Sequence, residues 1–111
     1  MRRLDFTATV KSASAFSVEL QLNKNPVDLK RNGDTWQGKL SVDLNGSLAI
    51  LFGATGLDGT GWSLEIDTTC PDGSSAKVFS KDDGVIKSGG RSRLETGVEI
   101  PADPCAKKKE A

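Results

Sequence analysis

The residues able to do chemistry in this sequence are few, and histidine is absent from it. Histidine is the commonest general base and a frequent metal ligand, so its absence excludes Ser-His and Cys-His catalysis and most zinc sites. Carboxylates such as Glu65 and Asp67 stand two residues apart in a strand-like run. Glycoside hydrolysis needs two carboxyls across a cleft, one with a raised pKa, whereas neighbours on one open strand face are solvated. We therefore expect no enzymatic activity and no cofactor.

The two cysteines, Cys70 and Cys105, could form a disulfide. They lack the C-x-x-C spacing of a metal or redox site, and each adjoins a proline in a turn-like segment. A bridge between them would close a loop of roughly 36 residues and stabilise the fold by about 3.8 kcal/mol in the chain-entropy model. The alternative is two unpaired thiols in a reducing compartment. We predict the disulfide and a secreted or periplasmic location, with the cytoplasm as the alternative.

A glycine-rich segment at 53–61 is the most unusual stretch of the sequence. It lacks the G-x-x-x-x-G-K-[ST] phosphate-binding pattern, and the run that follows it is typical of a strand rather than a helix. Two interpretations stay open. One is a flexible connection between strands, and the other is a recognition loop, since loops on rigid sandwiches commonly carry binding. The candidate binding residues in this segment are Thr55, Gly56, Leu57, Asp58, Gly59 and Thr60.

Trp36 and Trp62 could stack against a sugar. Both, however, lie in phase with the apolar positions of their runs, which favours a place in the core. The chain has no tyrosine, so the solvated faces have too few aromatic side chains to form a flat platform for a sugar. Trp36 follows a turn signal at 32–34, so it is better able than Trp62 to reach the rim of the fold. We therefore add Trp36 to the candidate binding residues.

Acidic residues stand in turn-like positions at Asp58, Asp72, Asp82 and Asp83. Calcium needs about six to eight oxygen ligands, and loop carboxylates gathered at one end of a sandwich can supply several. No EF-hand spacing is present, and Asp-Gly is also the ordinary chemistry of tight turns. We predict no metal site, and a calcium-dependent role stays an alternative.

Alternation of apolar and polar residues runs through most of the chain. It is clearest in runs that begin at Leu4, Phe16, Trp36, Trp62 and Leu94. Such runs predict strands with one buried and one solvated face, as in antiparallel sheets. Asn-Gly and Asp-Gly pairs between the runs suit the positive φ of tight turns. We predict an all-β fold, a single antiparallel β-sandwich of about seven or eight strands, immunoglobulin-like or of a related Greek-key or jelly-roll type.

The stretch 48–52 is apolar in both phases, which predicts a central strand covered on both faces or partly covered by a loop. A one-residue slip in register turns every side chain of a strand to the other face, so burial decides the register. We therefore predict a hairpin with a bulged or three-residue loop at 45–47, in which Val42 pairs with Ile50. A separate short run at 27–30, preceded by a proline, predicts an edge strand.

Length and charge set the remaining limits. The 111 residues are enough for one domain, which we place at 1–105, followed by a disordered basic tail at 106–111. The 15 basic and 15 acidic residues cancel, which argues against nucleic-acid binding. No apolar run is long enough to span a membrane as a helix.

From these observations we predict a non-enzymatic interaction or structural module that binds through its glycine-rich loops. The expected partner is another protein or a surface glycan. Two alternatives stay open, a carbohydrate-binding module and a calcium-dependent adhesion or lipid-binding domain. The sequence leaves the oligomeric state open.

Overall fold

The structure is a computed structural model that describes residues 2–12, 15–44, 46–70, 73–87 and 89–100. This part of the chain contains no helix and folds into nine strands. In chain order they are β1 (Arg2–Lys11), β2 (Ala15–Leu22), β3 (Asn25–Pro26), β4 (Lys30–Asn32), β5 (Thr35–Leu44), β6 (Ser47–Gly56), β7 (Gly61–Thr69), β8 (Ser75–Val85) and β9 (Arg91–Glu99).

The strands form two antiparallel sheets that pack against each other. The five-stranded sheet has the order β4-β5-β1-β7-β8, and the four-stranded sheet has the order β3-β2-β6-β9. The ring centroids of Phe52 on β6 and Trp62 on β7 are 4.6 Å apart, so the two sheets meet in the core. The predicted β-sandwich is confirmed. Its immunoglobulin-like subtype is not, because that fold keeps its first two strands in one sheet whereas β1 and β2 lie in different sheets.

The core consists of the apolar side chains that the alternation places on one face of each strand. On β7, Trp62, Leu64 and Ile66 are buried, while the residues between them are partly exposed. β6 alternates in the same way along its length. Burying a large aliphatic side chain stabilises a fold by about 1.5–3 kcal/mol, so the alternation decides which face of each strand lies inward.

Two expectations about the apolar stretch at 48–52 are wrong. The strand is central in its sheet, but Ala49 is exposed and Leu51 is half-buried, so its outer face is open in the described structure. The predicted hairpin does not form either, because β5 pairs with β1 while β6 pairs with β2 and β9. Val42 and Ile50 are nevertheless both buried. The chain crosses from one sheet to the other between β5 and β6, which buries both apolar faces without pairing the strands.

One side of the sandwich is closed by the segment between β3 and β4. Val27 is buried there, and the Asp28 carbonyl lies so close to Gly38 that any side chain at position 38 would collide with it. The predicted edge strand at 27–30 is therefore displaced. Strand pairing begins only at Lys30, and the residues before it cross between the sheets.

Candidate functional site

The predicted recognition loop is shorter than the glycine-rich segment. β6 continues to Gly56, so Thr55 and Gly56 lie in a strand, and only residues 57–60 connect β6 to β7. Thr55 pairs with Ser17 on β2, and their hydroxyl oxygens are 2.7 Å apart in a hydrogen bond. The expectation of a long flexible connection over 53–61 is therefore wrong, because strand pairing orders its first part.

Hydrogen bonds hold the backbone of the remaining turn against the residues between β8 and β9. The Gly59 N–H donates to the Ile86 carbonyl at 2.8 Å, and the Ile86 N–H donates to the Thr60 carbonyl at 2.8 Å. The Gly90 N–H donates to the Asp58 carboxylate at 2.9 Å. Residues 57–60 with Ile86 and Gly90 thus form one connected end of the sandwich, which we call the loop end.

The loop end carries apolar surface. Leu57 exposes 60% of its surface, and Val85 at the end of β8 exposes 43%. Among the side chains whose burial the structure describes, they are the two exposed large apolar ones. Among the predicted binding residues, Leu57 is therefore the one that can contact a partner through an apolar side chain.

Trp36 lies in the core, as its phase in the strand favours, and it does not reach the rim. It exposes 5% of its surface, and Cζ of Arg31 lies 4.7 Å from its ring centroid. The ring quadrupole attracts a cation placed over its face. The side chain that a ligand would meet here is therefore that of Arg31, which stacks on the buried ring of Trp36.

The outer face of the four-stranded sheet holds a depression that the sequence analysis missed. Its volume is about 590 Å³, and the residues that line it belong to β2, β6 and β9. Gly53 forms the floor, between Glu19 on β2 and Arg93 on β9. We call this depression the trough. The signal for it in the sequence was Gly53, a residue without a side chain in the polar phase of a central strand.

The trough has charged walls. Glu19 leans over the floor, since a Cβ built on Gly53 would lie 3.4 Å from both Cγ and Oε1 of Glu19. On the opposite wall, Nη2 of Arg93 lies 3.5 Å from Oε2 of Glu95 on the same strand. A carboxylate and a guanidinium thus flank a floor without a side chain. Together they can accept and donate hydrogen bonds to a polar ligand.

The outer face of the five-stranded sheet is occupied by long charged side chains. Arg3 and Asp43 form an ion pair at 3.3 Å, and Lys77 and Glu65 form another at 3.3 Å. Exposed pairs of this kind contribute about 0–1 kcal/mol each and are typical of a solvated surface. A shallower depression of about 460 Å³ lies at one end of this face, beside Lys11.

The acidic residues in turns do not gather into a metal site within the described residues. No group of three or more Asp, Glu or Cys side chains there could hold a metal ion. Asp58 accepts from the Gly90 N–H, and Asp83 accepts from Nζ of Lys81 at 2.8 Å. The Lys81 hydrogen bond, followed by its charge, lowers the pKa of Asp83 below its ordinary value. Asp72 lies outside the described residues.

The predicted disulfide involves one residue that the structure describes. Cys70 is buried directly after β7, and its N–H donates to the Ser74 carbonyl at 2.7 Å. Cys105 lies outside the described residues, as does the predicted tail at 106–111. The disulfide and the tail therefore stay predictions.

In comparisons with known proteins, no family model, no curated protein and no solved structure matches the chain. In the described ranges, no helix is long and apolar enough to cross a membrane. The function is therefore inferred from the loop end and the trough themselves.

Proposed function

We propose that this chain is a non-enzymatic module that binds another protein through the loop end. The observation that carries the proposal is Leu57, which exposes 60% of its surface on a turn whose backbone is held by hydrogen bonds. Removing apolar surface from water is favourable by about 25 cal/mol per Å², before the entropy costs of association are subtracted. A backbone that is already ordered lowers the entropy cost of binding.

The surroundings of Leu57 favour a protein partner over a small polar ligand. Val85 adds a second exposed apolar side chain at the same end of the sandwich. Lys87, between β8 and β9, and Arg91, at the start of β9, are exposed and form a basic margin. Protein interfaces commonly combine an apolar centre with a polar rim. The expected partner therefore presents an apolar pocket with acidic residues at its edge.

The proposal is tested by the effect of Leu57→Asp on binding. Affinity capture from extracts of the source organism identifies candidate partners, and each is then purified and titrated calorimetrically. We expect Leu57→Asp to weaken binding by roughly 30-fold, the effect of losing an interface residue worth about 2 kcal/mol.

The matched control is Thr7→Asp, which adds the same charge to the outer face of the five-stranded sheet. It should leave the affinity unchanged, and circular dichroism should show both variants folded. If every purified partner binds the Leu57→Asp variant as tightly as the wild type, the loop end is not the binding surface.

The trough supports a second candidate function, carbohydrate binding. Glu19 can accept and Arg93 can donate hydrogen bonds of the kind that sugar hydroxyls form, and the Gly53 floor leaves room between them. Within the described lining, the aromatic residue is Phe52, which is buried. Recognition would therefore depend on hydrogen bonds rather than on ring stacking.

A glycan array tests this candidate. Gly53→Val fills the floor of the trough, and a Cβ at this position meets Glu19 at an ordinary contact distance of 3.4 Å, so the sheet should persist. We expect a glycan signal that this variant loses and that Thr7→Val, on the other sheet, retains. An array without signal for the wild-type chain would remove the candidate.

The calcium-dependent alternative draws no support from the described residues, where no three acidic side chains gather. A thermal melt in millimolar calcium tests it directly, since a ligand that binds only the folded state raises the melting temperature. An unchanged melting temperature would eliminate it.

A further inference from the structure

β9 is a long edge strand with regular pairing, which distinguishes it from the other edges that the structure describes. It pairs with β6 from Arg91 to Glu99 without a register shift. β8, the long edge of the other sheet, has two register shifts against β7, and such irregularities protect an edge against further pairing. The remaining edge strands, β3 and β4, are two and three residues long and cover only part of their neighbours β2 and β5. β9 is thus the long edge strand whose regular pairing suits it to accept another strand.

The hydrogen bonds that flank β9 show which way its backbone groups point. The Gly56 N–H donates to the Gly90 carbonyl at 3.0 Å, and the Ile100 N–H donates to the Gly46 carbonyl at 2.9 Å. Residues on an antiparallel strand alternate between bonding to the neighbour and pointing away from it. The even-numbered residues of β9 therefore bond to β6, and the odd-numbered residues point their N–H and C=O groups toward the open edge.

One of these outward groups is already engaged. The Arg91 carbonyl accepts a hydrogen bond from the Lys87 N–H at 3.2 Å. In the described structure, four residues of β9 keep both backbone groups without a backbone partner: Arg93, Glu95, Gly97 and Glu99.

The charge of the side chains on the outer face of β9 changes sign along the strand. Arg91 and Arg93 occupy its first half, and Glu95 and Glu99 its second half, all of them exposed. Antiparallel pairing of two such strands places the basic half of each opposite the acidic half of the other. Opposite charges on directly facing residues stabilise a strand pair, and like charges destabilise it.

We propose that two copies of this chain pair through β9, antiparallel, about a two-fold axis at Thr96. In this register Arg93 faces Glu99 of the second copy, and Glu95 faces Gly97 of the second copy. The four residues with free backbone groups on each copy then bond to the four on the other, in eight hydrogen bonds. The two four-stranded sheets become one continuous sheet. This surface is separate from the loop end, and the proposal does not depend on the proposed function.

The neighbouring registers fit less well. An axis at Glu95 places the two Glu95 carboxylates opposite each other, and an axis at Leu94 leaves the free backbone groups of Glu99 unpaired. The axis at Thr96 also places Leu94 opposite Val98 of the second copy on the inner face. Both side chains are only partly buried at the margin of the core. Pairing therefore covers apolar surface that a single copy exposes.

Sedimentation equilibrium of the full chain, from micromolar to millimolar concentration, tests the proposal. We expect a monomer–dimer equilibrium that weakens as salt is added, because the facing charges are exposed and screened. Gly97→Pro removes an N–H that points to the second copy and takes no part in pairing with β6, so it should prevent dimerisation while the fold persists. Gly97→Ala keeps that N–H and should dimerise like the wild type. A monomer at every concentration, or a Gly97→Pro dimer as tight as the wild type, would overturn the proposal.

Charge exchange tests the register. Arg93→Glu and Glu99→Arg each place like charges opposite one another at two symmetric positions, and each should raise the dimer Kd by about tenfold. The double variant restores opposite charges and should recover most of that loss. A double variant weaker than both single variants would show that Arg93 does not face Glu99 and that the register is wrong.

Amide hydrogen exchange tests the proposed dimer in the wild-type chain, without any substitution. The N–H groups of Arg93, Glu95, Gly97 and Glu99 should exchange more slowly in a concentrated solution than in a dilute one. If they are equally protected in a monomer at every concentration, another segment of the chain or another protein covers β9, and the proposal is wrong.

Discussion

The backbone of Gly84 lies directly against the indole ring of Trp62. The ring occupies the space that any side chain at position 84 would need. A Cβ built on Gly84 would overlap the ring atoms Cε2 and Cδ2 of Trp62. The ring cannot move away freely, because its other neighbours include Phe52 of the opposite sheet, at 4.6 Å between centroids. This close approach sets the position of β8 at one end of the sandwich.

Gly84→Ala should therefore lower the free energy of unfolding by about 3 kcal/mol, because added volume in a packed core forces strain. Unfolding in guanidinium chloride, followed by tryptophan fluorescence, measures the change. Gly61→Ala is the matched control. Its Cβ would lie 3.8 Å from the Gly84 carbonyl oxygen, so the free energy should change by less than about 0.5 kcal/mol. Equal unfolding midpoints for the two variants would show that the ring yields.

The second prediction concerns the hydrogen bond that the indole makes across the two sheets. Nε1–H of Trp62 donates to Oγ of Ser92 on β9 at 3.1 Å. Ser92→Ala should cost about 1–2 kcal/mol of stability, because it leaves a buried N–H unpaired. In a Trp62→Phe background the same substitution should cost less than about 0.5 kcal/mol, since the donor is gone. Equal costs in the two backgrounds would mean that this bond contributes nothing.

The third prediction is the disulfide between Cys70 and Cys105. The intact mass measured without reductant should be lower by two hydrogens than the mass after reduction. Reduction should destabilise the fold by about 3.8 kcal/mol, since the unfolded chain regains loop freedom. A Cys70→Ser/Cys105→Ser double variant should show the same lower stability with and without reductant. An unreduced mass that matches two free thiols would contradict both the disulfide and the secreted or periplasmic location that we propose with it.

The fourth prediction concerns Asp83, whose pKa is lowered first by the hydrogen bond from Lys81 and then by its charge. Because the folded pKa lies below the unfolded one, any stability from this pair is present above the unfolded pKa and is lost as the pH falls through the folded pKa. Lys81→Met should raise the pKa of Asp83 toward its ordinary value in a carbon-13 titration. Lys77→Met, which removes the partner of Glu65 instead, should leave it unchanged. An unmoved pKa in the Lys81→Met variant would contradict the assignment.

The inward faces of the strands could be predicted because strand phase is a local property. Side chains alternate with a period of two along any strand, so the spacing of Trp62, Leu64 and Ile66 already places them on one face, and all three are buried. The same reasoning favoured Trp36 as a core residue. The added expectation that its ring reaches the rim was wrong, since nearness to a turn does not expose a side chain that points inward.

Strand neighbours could not be predicted in the same way. Val42 and Ile50 were expected to pair across a hairpin, but they lie on strands of different sheets. A short connection is compatible both with a hairpin and with a crossing between sheets, and both bury the two apolar faces. Choosing between them depends on the partners that β1, β2 and β9 offer, which are distant in the sequence.

The sequence by itself determined the all-β class, the buried face of most strands and the absence of histidine chemistry, because these depend on residue type and local spacing. Only the tertiary structure decided that the loop end is held by Gly90 and Ile86, that Gly53 forms the floor of a trough, and that β9 is an open edge. Each of these depends on contacts between residues at least 26 positions apart, the separation of Thr60 from Ile86. Such contacts are selected by the packing of the whole chain, and no local pattern encodes them.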